Sequence, residues 1–205
     1  MKGIIGRKLG MSQIFDPESG VVTPVTVIEA GPCPVTQVRS LETDGYAAVQ
    51  LAFEPVADRK ITKPELGHLK KAGAGAHRQL VEFRGDADLA VGDRVTVETF
   101  QPGDKIKVSG IGIGKGFAGT IKRHNFHRGP VSHGSHNVRA PGSIGASATP
   151  SRVMKGMKMS GHMGAKRRTQ VGLTVHSVEP ERNLILVKGS VPGPRNGFVE
   201  IREEA

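Results

Sequence analysis

Short runs of aliphatic and β-branched residues recur along most of the chain, each bounded by glycine, proline or Asp-Gly. The pairs Gly31-Pro32 and Asp44-Gly45 have the composition of turns. The runs lie at 21–28, 34–38, 46–51, 79–83, 94–98, 105–108, 172–178 and 184–187. Many short strands at this spacing predict a mainly β fold that closes into a barrel.

One helix is predicted, beginning after Thr62. This residue has the character of an N-cap, Pro64 falls in the first turn, and Glu65 occupies the capping-box position. We expect the helix to end near Gly73.

Residues 121–165 show little hydrophobic periodicity. A structureless stretch of this length inside a compact domain is typically functional or disordered. We therefore expect a long loop that projects from the barrel and becomes ordered on its ligand.

Composition narrows the class of protein. A chain of 205 residues is long enough for one domain with a large appendage. The single cysteine, Cys33, excludes an internal disulfide and a Cys-cluster zinc site, and it is predicted to be buried. No run approaches the roughly 20 apolar residues of a membrane helix, and the first residues do not resemble a secretion signal. These features favour a soluble cytoplasmic protein.

Positive charge is concentrated in one segment. The chain carries 29 Lys and Arg against 19 Asp and Glu, a net charge of +10. Residues 105–178 contain 13 Lys and Arg, six of the eight histidines and no carboxylate, while the flanking parts are close to neutral. Self-repulsion in this segment is uncompensated, so we expect an external polyanion. Nucleic acid is favoured over a membrane surface because no amphipathic apolar stripe is present.

Charge and patterning together predict the domain organisation. Residues 1–104 and 179–205 are expected to form the barrel. Residues 105–178 form a basic segment outside the barrel, which includes the extended loop at 121–165.

The stretch from Gly114 to Gly119 matches the letters G-x-G-x-x-G. A dinucleotide site would also need an acidic residue about 20 positions further on, but the next acid is Glu179. A phosphate-binding loop would need Ser or Thr after Lys115. We therefore interpret these glycines as positions where backbone N–H groups approach RNA phosphates, and we expect no nucleotide cofactor.

Two HxxH pairs, His124 with His127 and His133 with His136, could in principle supply four nitrogen ligands to zinc. Neither thiolate nor carboxylate stands near them in the sequence, which disfavours a metal site. Imidazoles that hydrogen-bond phosphates or stack on unpaired bases are the better interpretation. Hydrolase chemistry is disfavoured as well, since Ser132, Ser135 and Ser143 lack an orienting acid and the G-x-S-x-G motif.

Several ordered motifs resemble one protein family from end to end. They are Gly6-Arg7-Lys8-Leu9-Gly10-Met11, Thr62-Lys63-Pro64-Glu65-Leu66-Gly67-His68, the stretch 114–119, Pro141-Gly142-Ser143-Ile144-Gly145, the stretch 155–161 and the stretch 187–193. The chain resembles the bacterial form of universal large-subunit ribosomal protein number three. The resemblance implies a six-stranded translation-protein barrel with a small α/β insertion, at about 56–90 in this chain, and a long extension toward the peptidyl transferase centre. It also implies a role in starting assembly of the large subunit, with neighbouring ribosomal proteins as partners.

The resemblance and the charge pattern together assign residues to the ribosomal RNA. The tip of the extension would be Ala146-Ser147-Ala148, where Ala148 lacks the amide that some family members methylate. The residues expected to bind rRNA are Arg7, Lys8, Lys115, Lys122, Arg123, His124, His127, Arg128, His133, His136, Arg139, Ser143, Arg152, Lys155, Lys158, His162, Lys166, Arg167 and Arg168.

The sequence thus predicts a structural RNA-binding protein of the large ribosomal subunit, and not an enzyme. It is expected to need no cofactor or metal and to bind neither a membrane nor a small-molecule substrate. The alternative is an architectural protein that binds DNA, which would require comparable affinity for duplex DNA.

Overall fold

Strands dominate the fold, as the alternating sequence predicts. The computed structural model describes residues 2–17, 20–85 and 88–204. The strands are β1 (Gly3–Phe15), β2 (Val22–Ala30), β3 (Cys33–Arg39), β4 (Ala48–Pro55), β5 (His77–Arg84), β6 (Arg94–Val95), β7 (Lys105–Ile111), β8 (Phe117–Ala118), β9 (Gly161–His162), β10 (Arg167–Glu179), β11 (Leu184–Lys188) and β12 (Phe198–Glu203). The α-helices are α1 (Leu41–Asp44), α2 (Lys63–Lys71) and α3 (Thr120–His124), and 3-10 turns lie at Asp58–Lys60, Val97–Thr99 and Pro180–Arg182.

The chain divides into two compact units. The first, Met1–Gly112 with Arg167–Ala205, is called here the barrel unit. The second, Ile113–Lys166, is called the inserted unit. No helix among the described residues is long and apolar enough to cross a membrane.

Six antiparallel strands close the barrel in the order β1-β12-β7-β10-β11-β2. Successive side chains of a strand point to opposite faces, so every second residue enters the barrel. On β7, Ile106 and Val108 are fully buried whereas Lys105 is exposed. On β11, Ile185 and Val187 are fully buried in the same way. The predicted six-stranded barrel is confirmed.

The barrel differs from its predicted boundaries. Strands β7 and β10 lie within residues 105–178, which the charge pattern placed outside it. Charge is a poor guide here because a strand can bury alternate aliphatic residues while its other face carries lysines. On β10, Leu173 and Val175 are buried although the same strand begins with two exposed arginines.

A second sheet, in the order β5-β4-β3-β6, lies in the barrel unit together with helix α2. It begins at Cys33, so it extends well beyond the predicted insertion at about 56–90. The two sheets share one apolar core, in which Phe83 lies against β1. An added Cβ at Gly3 would stand 2.4 Å from the Phe83 ring, so this close approach requires glycine.

Helix α2 begins where the sequence predicts. The Glu65 carboxylate accepts hydrogen bonds from the Thr62 backbone N–H at 3.3 Å and from the Thr62 hydroxyl at 2.7 Å. The N-terminal capping is therefore confirmed. The two shorter helices, α1 and α3, were not predicted, since five residues or fewer leave almost no periodic signal.

Candidate nucleic-acid interface

The two ends of the inserted unit run side by side as a short irregular ladder, called here the root ladder (residues 113–118 and 161–165). Phe117 pairs with His162, and Ala118 pairs with Gly161. The Lys115 N–H donates to the Met163 carbonyl, and the Met163 N–H donates to the Gly116 carbonyl, each at 2.9 Å. The unit is thus closed at its base by its own backbone.

A glycine makes this ladder possible. Gly164 has φ +76°, and an added Cβ would stand 2.2 Å from the Ile113 carbonyl oxygen. At Gly114 an added Cβ would stand 3.6 Å from the Cβ of Ala165, which is ordinary van der Waals contact. Residues 115–118 of the G-x-G-x-x-G stretch are therefore paired with the 161–163 backbone. Whether its N–H groups also approach phosphates stays a prediction.

Helix α3 places two predicted RNA-binding side chains on a single carbonyl. The Arg123 guanidinium donates to the Met159 oxygen at 2.6 Å, and the His124 Nε2 lies 3.0 Å from the same atom. The helix ends at Asn125 in the left-handed conformation, φ 59°. Both side chains are half-buried, so they brace the 159–161 stretch and have less freedom to meet a ligand than their neighbours.

A closed loop follows α3 at residues 129–138. The Gly129 N–H donates to the Val138 carbonyl at 3.0 Å, and an added Cβ at Gly129 would stand 2.2 Å from the Asn137 oxygen. The loop presents His133 and His136 exposed to solvent. The structure therefore brings the second HxxH pair to one small loop.

Cations of the inserted unit are almost all open to solvent. The unit contains nine Lys and Arg and no Asp or Glu. Arg123 is half-buried, whereas the other eight are exposed. Without a carboxylate in the unit, their mutual repulsion is reduced only by solvent and salt. The exposed eight are Lys115, Lys122, Arg128, Arg139, Arg152, Lys155, Lys158 and Lys166, and the exposed histidines are His127, His133, His136 and His162.

The predicted tip lies within residues 139–160, every one of which is exposed to solvent. Here Ser143 forms a local turn, its hydroxyl donating to the Gly145 carbonyl at 3.0 Å and accepting from the Gly145 N–H at 3.4 Å. The Ser143 side chain therefore stabilises the turn, while Ala146–Ala148 are exposed.

Two predicted RNA-binding residues, Arg7 and Lys8, are engaged inside the barrel unit. Arg7 forms an ion pair with Glu54 and lies over the Phe198 ring, 5.7 Å from its centroid. The Lys8 Nζ donates to the carbonyls of Val191 at 2.8 Å and Gly193 at 3.2 Å. Burial lowers the pKa of Lys8 below its usual value. Their cationic groups thus hold the barrel unit together, a role that no sequence pattern signals.

Arg167 and Arg168 begin β10 and also belong to the barrel unit. Arg167 forms an ion pair with Glu200, and the carboxylate offsets the positive charge that Arg167 would present to a ligand. Arg168 is exposed, and as the next residue on the strand it points to the opposite face. That Arg168 contacts a phosphate stays a prediction.

One exposed aromatic residue was missed in the sequence. Phe117 is 78% exposed, although it lies within the glycine-rich stretch that was considered only for its glycines. Its rarity is a usable signal, since aromatic residues make up only 4% of the chain.

Among the residues that the structure describes, no group of three or more His, Cys, Asp and Glu is arranged to hold a metal ion.

The structure combines a β-barrel, a second sheet and an inserted unit that contains no Asp or Glu. These features define a class of basic β-barrel protein with a long irregular insertion. The sequence profile described as "Ribosomal protein L3" matches residues 70–183, more than half of the chain and including the whole inserted unit. The chain belongs to the ribosomal protein L3 family.

Relatives from bacteria match nearly end to end. The "Large ribosomal subunit protein uL3" of Acidothermus cellulolyticus is 54% identical over 208 residues, covering 100% of this chain and 93% of that protein. The uL3 protein of Synechococcus sp. (strain JA-3-3Ab) is 54% identical over 97% of this chain and 94% of its own length. That of Crocosphaera subtropica is 50% identical, with 97% and 95% covered. The predicted membership of the bacterial form of this family is confirmed.

Proposed function

We propose that this chain is a structural component of the large ribosomal subunit that binds the large-subunit rRNA through its inserted unit. One observation carries the proposal: nine Lys and Arg, eight of them exposed, lie in 54 residues without a carboxylate. Membership of the ribosomal protein L3 family supports ribosomal RNA as this polyanion. In the chain, the barrel unit both precedes and follows the inserted unit.

The mechanism is electrostatic scaffolding. Each exposed Lys or Arg that meets a phosphate releases condensed counterions, which provides affinity without reading sequence. Exposed histidines such as His133 and His136 add hydrogen-bond donors. The root ladder limits how far the two ends of the unit can separate, so fewer backbone states are lost on binding.

Finer aspects of the proposal follow from the family. The exposed stretch with Ala146–Ala148 reaches toward the peptidyl transferase centre, and the protein acts early in assembly of the subunit. Neighbouring large-subunit proteins are its partners, and the cytoplasmic ribosome is its location.

A salt series tests the electrostatic mechanism. Binding of the full chain to a 3′-terminal fragment of large-subunit rRNA is measured from 50 to 300 mM salt with excess duplex DNA as competitor. The test variant carries glutamine at four exposed cations of the inserted unit, and the matched control carries glutamine at four exposed cations of the barrel unit. The test positions are Lys115, Arg128, Arg139 and Lys155, and the control positions are Arg59, Lys60, Lys70 and Lys71.

Both variants lose the same formal charge, so only the location differs. If all four test residues contact phosphates, the slope of log K against log salt becomes shallower by roughly three, at about 0.7–0.9 per contact. The control is expected to keep the wild-type slope within about one unit. Equal slopes in the two variants would refute the assignment to the inserted unit. Binding that duplex DNA abolishes would favour the DNA-binding alternative.

A further inference from the structure

Phe117 is the exposed aromatic residue of the inserted unit. The unit has one other aromatic residue, Phe126, which is half-buried with its ring tilted against His124 at 6.1 Å between centroids. Phe117, in contrast, leaves 78% of its surface open to solvent. Singly exposed apolar side chains are common on protein surfaces, so the surroundings of this ring decide whether it is a contact site.

The backbone beneath Phe117 is held on both sides. Phe117 pairs with His162 across the root ladder, and the next residue, Ala118, is only 4% exposed. Because successive strand residues point to opposite faces, the burial of Ala118 directs the ring of Phe117 outward. The two hydrogen bonds at Lys115 and Met163 lie directly next to this pair. The ring is therefore presented on an ordered backbone and loses little entropy when it is covered.

His162 stands directly opposite Phe117, so both side chains occupy the same face of the two-stranded ladder. His162 is exposed as well. Lys115 and Lys166 provide positive charge close by in the chain, and no carboxylate occurs in the unit. A flat apolar ring beside an imidazole, in positive surroundings, complements a nucleotide, which has an apolar face and an anionic backbone. An apolar protein surface would gain nothing from that charge.

We propose that Phe117 and His162 form a stacking platform for an unpaired base of the bound RNA. The inference rests on the proposed function and specifies the contact that the inserted unit makes beyond its phosphates. The base stacks on the Phe117 ring, and the phosphates adjoining that nucleotide contact Lys115 and Lys166. Stacking accepts any base because each has a π face, so the platform selects unpaired nucleotides over a closed duplex.

The chain has no tryptophan, which allows a direct optical test. The variant Phe117→Trp places a single indole on the platform, and Val131→Trp, at a site 63% exposed in the same unit, is the matched control. On addition of the 3′-terminal rRNA fragment, a stacked base should quench Trp fluorescence at 117 and much less at 131. Equal quenching at the two positions would overturn the platform, because proximity to RNA alone would then explain it.

Affinity separates stacking from burial of an apolar side chain. Phe117→Leu retains an apolar side chain without a π face, and Phe117→Tyr retains the π face. If the ring stacks on one base, Phe117→Leu should weaken binding by about five- to 150-fold, while Phe117→Tyr stays near wild type. The salt slope should be unchanged in both, because no phosphate contact is lost.

The outcomes distinguish this inference from the function on which it rests. Wild-type binding with a steep salt slope, together with an unaffected Phe117→Leu variant, would refute the platform and leave the rRNA-binding function standing. Failure of the wild type to bind the rRNA fragment over duplex DNA would refute the function itself. If Phe117→Leu and Phe117→Tyr bind RNA like wild type but change association with neighbouring large-subunit proteins, the occupant is a protein and the proposal is wrong.

Discussion

Replacing Gly164 by alanine should open the root ladder. An added Cβ would stand 2.2 Å from the Ile113 oxygen and 3.0 Å from the Lys115 nitrogen. Ordinary contact between such atoms needs more than 3 Å, so the two strands must separate by about 1 Å to admit the methyl group. The same movement stretches the two 2.9 Å hydrogen bonds that join Lys115, Gly116 and Met163 beyond hydrogen-bonding range.

The free-energy cost of Gly164→Ala has two parts, and a control variant isolates one of them. Alanine at φ +76° costs about 1–2 kcal/mol for the left-handed conformation alone. Gly156→Ala bears the same backbone cost, since Gly156 has φ +84° and nothing within 4 Å of its added Cβ. The clash is specific to Gly164. Two lost hydrogen bonds add about 2 kcal/mol, which corresponds to roughly a 30-fold change in the opening equilibrium.

Native-state hydrogen exchange measures this equilibrium directly. The amide protons of Lys115 and Met163 should exchange roughly 30-fold faster in Gly164→Ala than in wild type, while Gly156→Ala leaves them unchanged. Core amides of the barrel, such as Val108, serve as the internal reference. Equal protection of the Lys115 and Met163 amides in the two variants would refute the reasoning, because the close approach would then carry no energetic cost.

Two further predictions concern the barrel unit. Lys8→Met removes the charged donor from the carbonyls of Val191 and Gly193, so the free energy of unfolding measured in urea should fall by about 1.5–3 kcal/mol. The control Lys70→Met, at an exposed position, should lower it by less than about 0.5 kcal/mol. A loss of RNA affinity without a loss of stability would contradict the structural role of Lys8. Burial raises the pKa of the Cys33 thiol to about 12 from 9.0, so the stability that the neutral thiol provides is complete below pH 9 and is lost as the pH rises toward 12. Between pH 9 and 12 the free energy of unfolding should therefore fall less steeply with pH in Cys33→Ala than in wild type, the slopes differing by up to about 1.4 kcal/mol per pH unit. Parallel plots of unfolding free energy against pH for the two proteins would exclude the effect.

The class of fold was readable from the sequence because strand burial has a period of two. The run Lys105–Val108, for example, alternates cation and aliphatic residue, and it becomes part of barrel strand β7 with its apolar side chains inside. Helix α2 was readable because Thr62 and Glu65 act on each other within one turn. These signals are local, and local geometry converts them directly into structure.

Pairing between distant strands was not readable. The sequence carries no mark that separates β3 and β4, which build the second sheet, from β2 and β11, which close the barrel. Both sets are short, apolar and bounded by turns. Only the mutual fit of their side chains around the shared core decides which strands become neighbours.

The candidate site shows the same division at the level of single side chains. The excess of cations without carboxylates between 113 and 166 is a property of composition, so the sequence alone is enough to predict a polyanionic partner for this part of the chain. Which cations remain free for it depends on partners that are remote in sequence. Glu54 and the carbonyl of Val191 engage Arg7 and Lys8, whereas Lys115 remains exposed and Phe117 projects from a ladder held by Gly164. Those outcomes belong to the tertiary structure, because a side chain's availability is set by what packs beside it and not by its identity.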